Sequence, residues 1–232
     1  ILKSSKLVIK KGLYETTPLF IKGALTLEFE EGATLLATTN EALYQNIKTR
    51  VAGIEMEWYP ALLNVIGTSN VTIKGQGILD GNGPYWWNKY WGLDMKGGYR
   101  KIYDEKGLRF AADYDCKRPR NLLVQNSSNV KIYDITSTSS GFWNIHILYS
   151  NDILIENVKI KSEAINSPST DGIDIDSSYN VVVNKVETNC NDDSVCIKSG
   201  RDFDGIRVGR PSHDITISNS IINKGFGVTI GS

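Results

Sequence analysis

The sequence has little cysteine, no excess of either charge and no long hydrophobic run, and each of these absences excludes a class of protein. Three cysteines in 232 residues are too few for a disulfide scaffold. The 26 basic and 26 acidic residues cancel, so the overall charge predicts no attraction to nucleic acid or to an anionic membrane surface. No apolar stretch reaches the length of a membrane span, so we expect no membrane association.

The chain also lacks an initiator methionine and a recognisable signal peptide, since it opens on Ile1. We therefore expect a processed product or a fragment. Cys190 and Cys196 flank an acidic pair and could form a bridge there. Two small buried thiols are the simpler expectation, which leaves the redox compartment open.

Helical periodicity is absent from every long segment, whereas short β-rich segments recur between Asn, Gly, Asp and Ser residues. Examples lie at 70–73, 129–132, 152–155, 180–183 and 214–217. Another set of segments shares one alternating template, which repeats after 28, 22 and 33 residues at Ile145, Ile173, Val195 and Val228. A period near 22–28 residues with several short strands per repeat predicts an all-β solenoid, the parallel β-helix. A sandwich of antiparallel hairpins is the structural alternative, and it fits this in-step recurrence poorly.

Asp171 and Asp193 occupy equivalent positions in the template, two residues before the first inward apolar position. Trp143 and Phe226 hold that position in two other segments. If the strands stack in parallel, successive rungs lie about 4.8 Å apart, so Asp171 and Asp193 become neighbours in a column with Asp192 beside them. Three carboxylates on one patch are costly, which predicts a functional site.

Carboxylates held this close cannot all ionise freely, so one becomes a general acid while another can deprotonate water. This division of labour suits glycoside hydrolysis, in which a separation of about 6.5–9.5 Å gives inversion and about 5–5.5 Å gives retention. The alternative is a calcium site, to which Asp171, Asp174 and Asp176 could contribute oxygen ligands, or a ladder of Asp and Asn turns.

The outward positions of the same strands would be His146, Asp174, Cys196 and Thr229. Their alternation with inward apolar residues predicts strands that are buried on one face only.

Two regions interrupt the repeat. Residues 81–121 form a long aromatic and charged insertion loop, whose rings could stack on sugars. We expect at least half of these rings to pack the loop onto the solenoid instead. Residues 201–212 carry Arg201, Arg207 and Arg210 after Lys198, which predicts either a local positive cluster or a solvated loop.

Several motifs together resemble the polygalacturonases of glycoside hydrolase family 28. The strongest are STDGID at 169–174, NDD at 191–193 and IKSG at 197–200. Further matches are GFWNIH at 141–146, LDGNG at 79–83 and EGATLL at 31–36. The resemblance runs from about residue 7 to the end, in the expected order. It implies one right-handed parallel β-helix domain over residues 1–232, truncated at both ends.

The resemblance also implies hydrolysis of α-1,4-galacturonosidic bonds of pectin with inversion. Asp192 then corresponds to the general acid, and Asp171 and Asp193 to the pair that activates water. Substrate contacts by His146, Lys198 and Arg201 are a hypothesis. The expected partner is an acidic polysaccharide, with no cofactor and no metal, and the expected protein is an extracellular or periplasmic monomer.

The sequence departs from the family pattern in three places. The family's Gly-His-Gly appears as Gly225-Phe226-Gly227, which predicts a lower rate or a related pectic substrate such as rhamnogalacturonan. The later Arg-Ile-Lys motif is missing, and the first coil begins late. One competing function is a lyase on the same architecture, for which the Asp cluster could bind a calcium ion. The other is a non-catalytic carbohydrate-binding or surface-fibre β-helix, which Phe226 and the truncation keep open.

Overall fold

A computed structural model describes residues 5–231, except for the side chain of residue 110. Within this range the chain forms short strands that follow one another with few helices between them. The strands are β1 Ser5–Ile9, β2 Gly12–Thr16, β3 Leu19–Ile21, β4 Leu25–Phe29, β5 Ala33–Ala37, β6 Ile47–Val51, β7 Ile54–Trp58, β8 Leu63–Ile66, β9 Ser69–Gly75, β10 Ile78–Asp80, β11 Leu122–Gln125, β12 Ser128–Tyr133, β13 Thr136–Thr138, β14 Ile145–Leu148, β15 Asn151–Glu156, β16 Lys159–Ser162, β17 Ile173–Asp176, β18 Tyr179–Asn184, β19 Glu187–Cys190, β20 Val195–Lys198, β21 His213–Ser218, β22 Ile221–Lys224 and β23 Val228–Ile230. The helices are α1 Gly83–Trp91, α2 Gly98–Glu105, α3 Ala112–Asp115 and α4 Asp202–Val208, with 3₁₀ turns at Glu41–Leu43 and Arg109–Ala111.

The strands build three parallel sheets, each with seven strands in the described part of the chain. One sheet has the order β1-β4-β9-β12-β15-β18-β21, and the second has the order β2-β5-β10-β13-β16-β19-β22. The third, which we call the site sheet, has the order β3-β8-β11-β14-β17-β20-β23. The chain visits the three sheets in turn, which makes a right-handed parallel β-helix and confirms the predicted fold class. The antiparallel sandwich is excluded.

The register of the site sheet confirms the predicted columns. Ile145 pairs with Ile173, Ile173 with Val195, and Val195 with Val228. The spacings of 28, 22 and 33 residues therefore mark successive coils of one solenoid. Ile145 and Ile173 are fully buried, as are their neighbours Ile147 and Ile175 in the next inward column. Each such side chain stabilises the fold by roughly 1.5–3 kcal/mol, so the core is a continuous apolar stack.

The recurring Asn and Asp residues have a structural reason. Asn70, Asn129, Asp152, Asn180 and Asp214 all have φ between 50° and 60°. Among non-glycine residues, Asn and Asp adopt this left-handed conformation most readily, because their short polar side chains can hydrogen-bond locally. The recurring Asn and Asp residues are therefore the second residues of five successive strands of one sheet, β9, β12, β15, β18 and β21.

The outward face of the site sheet is covered, which corrects the expectation of strands buried on one face only. His146, Asp174 and Cys196 are fully buried, while Thr229 is half-buried. The cover is an antiparallel hairpin of β6 and β7, which pairs Ile47 with Trp58. The sequences of β6 and β7 resemble those of the solenoid strands. Only their antiparallel pairing shows that they form a separate two-stranded sheet.

The insertion at 81–121 is not a structureless loop, because it contains α1, α2 and α3. Three of its aromatic rings, those of Trp86, Trp87 and Tyr90, are buried. Trp86 and Trp87 contact residues outside the insertion, whereas Tyr90 packs with the half-buried Trp91, Tyr99 and Tyr103 inside it. Part of the aromatic content therefore packs the insertion itself rather than fastening it to the solenoid, so the expectation that at least half of the rings pack onto the solenoid is not confirmed. The second interruption also contains a short helix, α4.

All three cysteines, Cys116, Cys190 and Cys196, are free and buried, so the simpler expectation for the thiols is confirmed. Across residues 5–231, no helix is both long enough and apolar enough to span a membrane.

Candidate active site

The three aspartates lie just before two neighbouring strands of the site sheet. Asp171 precedes β17, and Asp192 and Asp193 precede β20. Backbone bonds fix the two rungs against each other, since Gly172 N–H donates to Asp193 O at 2.8 Å. A Cβ atom at Gly172 would lie 2.3 Å from Ser194 O, so this close approach requires glycine. One carboxylate oxygen from each aspartate lies within 4.8 Å of the others, which confirms that the three residues converge.

Burial and mutual repulsion raise the pKa values of two of these carboxyl groups. Burial, followed by the charges of Asp171 and Asp193, raises the pKa of Asp192 to about 7, although the N–H of Asp193 donates to it at 3.0 Å. Burial also raises the pKa of Asp171, and the nearby charge of Asp193 adds to this effect, against the opposing attraction of Lys198. Asp192 therefore holds a proton near neutrality, as a general acid must.

Lys198 forms the floor of the site beneath Asp171. Its Nζ lies 3.4 Å from Asp171 Oδ2, 3.0 Å from Asp174 Oδ1 and 4.5 Å from the centre of the Trp143 ring. Burial disfavours the charged ammonium, but the charges of Asp174 and Asp171 outweigh it and hold the pKa of Lys198 well above its ordinary value. Lys198 is therefore a permanent cation at the base of the carboxylate cluster.

A small pocket of about 150 Å³ opens above the cluster. The three aspartates line it together with Lys198 and Arg201, which confirms that the structure brings these two predicted substrate contacts to the acidic site. The arginine is half-buried, and its Nη1 donates to Tyr114 Oη at 3.0 Å. Two cations and four carboxyl groups, those of the three aspartates and of Asp113, thus face one cavity.

His146 does not reach this pocket. It is fully buried beside Trp143, whose ring meets the imidazole edge-on at 4.9 Å. Its Nδ1 lies 2.7 Å from Arg120 Nη1, and its Nε2 lies 3.6 Å from Asp176 Oδ2. Burial lowers the pKa of His146 to about 4, so the ring is neutral. A direct substrate contact by His146 gains no support from this position.

Buried arginines under and beside the site went unnoticed in the sequence. Arg118 lies between the rings of Tyr90 and Phe142, with its guanidinium carbon 4.6 Å and 4.8 Å from their centres. It donates to Pro168 O at 2.7 Å and to Asp113 Oδ1 at 2.8 Å. Arg118 therefore ties the helical insertion to the turn that leads into Asp171. No sequence signal marked it, because Pro168 and Phe142 lie far from it along the chain.

The calcium alternative required Asp171, Asp174 and Asp176 to converge, and only the first two do. Asp171 and Asp174 interact with each other and share Lys198 as a cationic partner. Asp176 instead pairs with Arg50 at 2.9 Å.

Phe226 lies next to Asp193 in the column, as the template predicted. Its backbone N–H donates to Asp192 O at 3.0 Å, while its side chain is 75% exposed. The ring can contribute apolar contact at this position, but it cannot carry a proton.

A model of glycosyl hydrolases family 28 matches residues 47–232. A probable polygalacturonase of Vitis vinifera is 28% identical over 92% of this chain and 40% of its own length, and an exopolygalacturonase of Zea mays is 27% identical over 97% and 46%. The solved exopolygalacturonase of Thermotoga maritima superposes with a TM-score of 0.80 and 28% identity, over 98% of this chain and 55% of that one. The chain thus spans less than half the length of these two curated relatives.

Proposed function

Since the chain belongs to glycosyl hydrolases family 28, we propose that its three-aspartate site hydrolyses α-1,4-galacturonosidic bonds of polygalacturonate with inversion. The observation that carries the proposal is the convergence of the Asp171, Asp192 and Asp193 carboxyl groups in one pocket, where burial and the neighbouring charges raise the pKa of Asp192 to about 7. A carboxyl group that keeps its proton near neutrality beside further carboxyl groups is the arrangement that general acid catalysis of glycoside cleavage requires.

Each aspartate has a role in this proposal. Asp192 donates its proton to the glycosidic oxygen as the bond to the anomeric carbon breaks. Asp171 and Asp193 hold a water molecule between them and accept its proton as the water oxygen attacks that carbon. The transition state carries positive charge on the sugar, which nearby carboxylates stabilise.

Inversion rests on the family resemblance. One oxygen from each of the three carboxyl groups lies within 4.8 Å of the others. This closest approach of single oxygens is not the separation between whole carboxyl groups that distinguishes inverting from retaining pairs. In favour of inversion, the site offers two carboxylates rather than one to position the water.

The cations in the pocket support an acidic substrate. Lys198 and Arg201 line the same cavity as the aspartates, although the chain has no net charge. A galacturonate carboxylate would be attracted to these side chains. For a substrate of this kind we expect a protein that acts outside the cell or in the periplasm, as a monomer.

The proposal is tested by following the anomeric protons of the products by NMR while the protein digests polygalacturonate. Inversion of an α-linked substrate releases the β-anomer first, before mutarotation. Initial release of the α-anomer contradicts inversion but leaves hydrolysis intact. Release of no product contradicts the catalytic proposal and favours a carbohydrate-binding protein, which would still bind oligogalacturonides when Asp192 is replaced by Asn.

Phe226 favours a second candidate substrate, rhamnogalacturonan. An exposed aromatic ring stands beside Asp193, where the resemblance predicts a histidine. A comparison of kcat/KM on polygalacturonate and on rhamnogalacturonan separates the two. A higher value on rhamnogalacturonan would replace the first substrate with the second, with the same three aspartates in the same roles.

A further inference from the structure

Three segments that are distant in the sequence meet at one hydroxyl group on the wall of the pocket. Tyr114, from the 81–121 insertion, donates its Oη hydrogen to Ala52 O at 3.2 Å. The same oxygen accepts a hydrogen bond from Arg201 Nη1 at 3.0 Å. Ala52, Tyr114 and Arg201 all line the pocket. The Tyr114 hydroxyl therefore joins the hairpin, the insertion and the segment after β20 into one wall.

The tip of the hairpin is fastened to this wall by its backbone. Arg201 N–H donates to Gly53 O at 3.0 Å, and Glu55 N–H donates to Asp204 Oδ2 at 3.0 Å. Gly53 has φ of 82°, and a Cβ atom there would lie 2.7 Å from Arg201 N. The contact is therefore too close for any residue other than glycine, and the hairpin tip cannot stand away from Arg201 without breaking it.

The hairpin also covers the site sheet on the side of the earlier coils. Gln125 Nε2 donates to Lys48 O at 3.0 Å, and Ile47 packs on Leu123 and Leu148. Those two leucines lie on the outward face of β11 and β14, and both are fully buried. A polysaccharide that runs across the strands would meet the hairpin there, directly beyond the aspartates.

We propose that Tyr114 is a specificity-determining residue that closes the pocket on the hairpin side, so that the site accepts the end of a galacturonate chain rather than its interior. The inference rests on the proposed function and adds the mode of attack to it. The pocket volume of about 150 Å³ supports it, since pockets for larger ligands measure roughly 300–1,000 Å³. The remaining units of the polymer extend away from the hairpin, over the later coils.

The first experiment compares early products from polygalacturonate for the wild type and for Tyr114→Ala and Tyr114→Phe. The wild type should release monomer from the first time point, while the viscosity of the solution falls slowly. Tyr114→Ala should raise the ratio of longer products to monomer by roughly tenfold, the low end of what pocket contacts contribute to discrimination. Tyr114→Phe should change the ratio in the same direction by less, because it removes the hydroxyl and keeps the ring.

Tyr85→Phe is the matched control. Tyr85 belongs to the same insertion and also donates its hydroxyl hydrogen, to Glu41 Oε1 at 3.1 Å, but it does not line the pocket. Its replacement should leave the product ratio unchanged. Equal product ratios for the wild type and both Tyr114 variants would overturn the proposal, as would rapid viscosity loss with the wild type.

A second variant disrupts the same wall of the pocket by a substitution in the hairpin. Gly53→Ala introduces the clash with Arg201 and should raise the ratio of longer products to monomer, as Tyr114→Ala does. Gly67→Ala is its control, because Gly67 also has a left-handed φ, of 63°, but no atom lies within 4 Å of the position its Cβ would take. The control carries the backbone strain without the clash. A product shift of equal size in both glycine variants would contradict the role of the wall.

A binding measurement separates this proposal from the proposed function. Asp192→Asn is titrated with galacturonate monomer in a calorimeter, with and without Tyr114→Ala. A pocket closed around one unit should bind the monomer, and Tyr114→Ala should weaken that binding by about tenfold. Failure of hydrolysis with this binding intact contradicts only the enzymatic function. Failure of the monomer to bind, or an unchanged affinity in Tyr114→Ala, overturns the closed pocket.

Discussion

Arg50 and Asp176 form a fully buried ion pair across 126 residues of sequence, with Arg50 Nη1 2.9 Å from Asp176 Oδ1. Arg50 belongs to the covering hairpin, and Asp176 ends the strand that follows Asp171 of the candidate site. The same Arg50 nitrogen donates to Ser177 Oγ at 2.7 Å. The pair therefore fastens the hairpin to the coil that carries the active site, under the pocket rather than in it.

Arg50→Met should destabilise the protein by about 3–5 kcal/mol, because it leaves the Asp176 carboxylate buried without its cation. Chemical denaturation gives the free energy of unfolding. The double variant Arg50→Met/Asp176→Asn should recover part of the loss, since no unpaired charge remains. Lys10→Met removes a cation from an exposed pair with Glu30 and should leave the free energy unchanged. A loss of equal size in the double variant would show that the charge of Asp176 is not the cause.

Asp192→Asn should reduce kcat on polygalacturonate by about 10²–10⁴-fold, the usual contribution of a general acid. The fold should persist, because Asn has the same shape and its amide adds no buried charge. Circular dichroism checks the fold, and release of reducing ends gives the rate. Asp134→Asn, at an exposed position whose Oδ1 accepts a hydrogen bond from Asn157, serves as the control and should retain full activity. An unchanged rate in Asp192→Asn would refute the assignment of the acid.

The pH profile of kcat/KM should be bell-shaped, with its acidic limb set by Asp171 and its basic limb set by Asp192. Asp192 must be protonated, so kcat/KM should fall above about pH 7, where this group loses its proton. Asp171 must be ionised, and because burial raises its pKa, the fall on the acidic side should begin above the ordinary range of aspartate. The optimum therefore lies in mildly acidic solution.

Lys198→Met tests the origin of these limbs. The ammonium lowers the pKa of both Asp171 and Asp192, so its removal should move both limbs to higher pH and reduce the maximum rate. The pH profile of kcat/KM measures the shift. If the maximum of kcat/KM falls while both limbs stay at the same pH, Lys198 acts in substrate binding alone.

Phe226→His should leave the fold intact and raise activity on polygalacturonate. The side chain is exposed, so the substitution disturbs no packing, and an imidazole beside Asp193 can exchange protons, unlike phenyl. Phe20→His, on an exposed residue of β3 at the far end of the site sheet, should have no effect on the rate. Unchanged or lower activity in Phe226→His would indicate that the phenyl ring shapes a pocket for another polymer.

The sequence sufficed for the solenoid because each coil repeats a local pattern. Alternating apolar residues and left-handed Asn or Asp residues specify both the strand and its register, so the column of Asp171 and Asp193 could be placed without a structure. The same reasoning brought Lys198 and Arg201 to the site, because both follow Asp193 closely in the chain.

The cover over the site sheet could not be predicted in this way. Arg50 and Asp176 carry no mutual pattern at a distance of 126 residues, and β6 and β7 read as ordinary strands. His146 was therefore expected on an open face, although it lies buried against Arg120. The helices of the insertion escaped notice because each has nine residues or fewer, too short for a clear helical period.

The central claim is that the three aspartates cleave polygalacturonate by hydrolysis, and mass spectrometry of the products tests it most directly. The protein is incubated with polygalacturonate, and Asp192→Asn is treated in parallel. Saturated galacturonate or its oligomers from the wild type, and none from the variant, is the predicted result. Unsaturated products would contradict the account, because they would show β-elimination by a lyase.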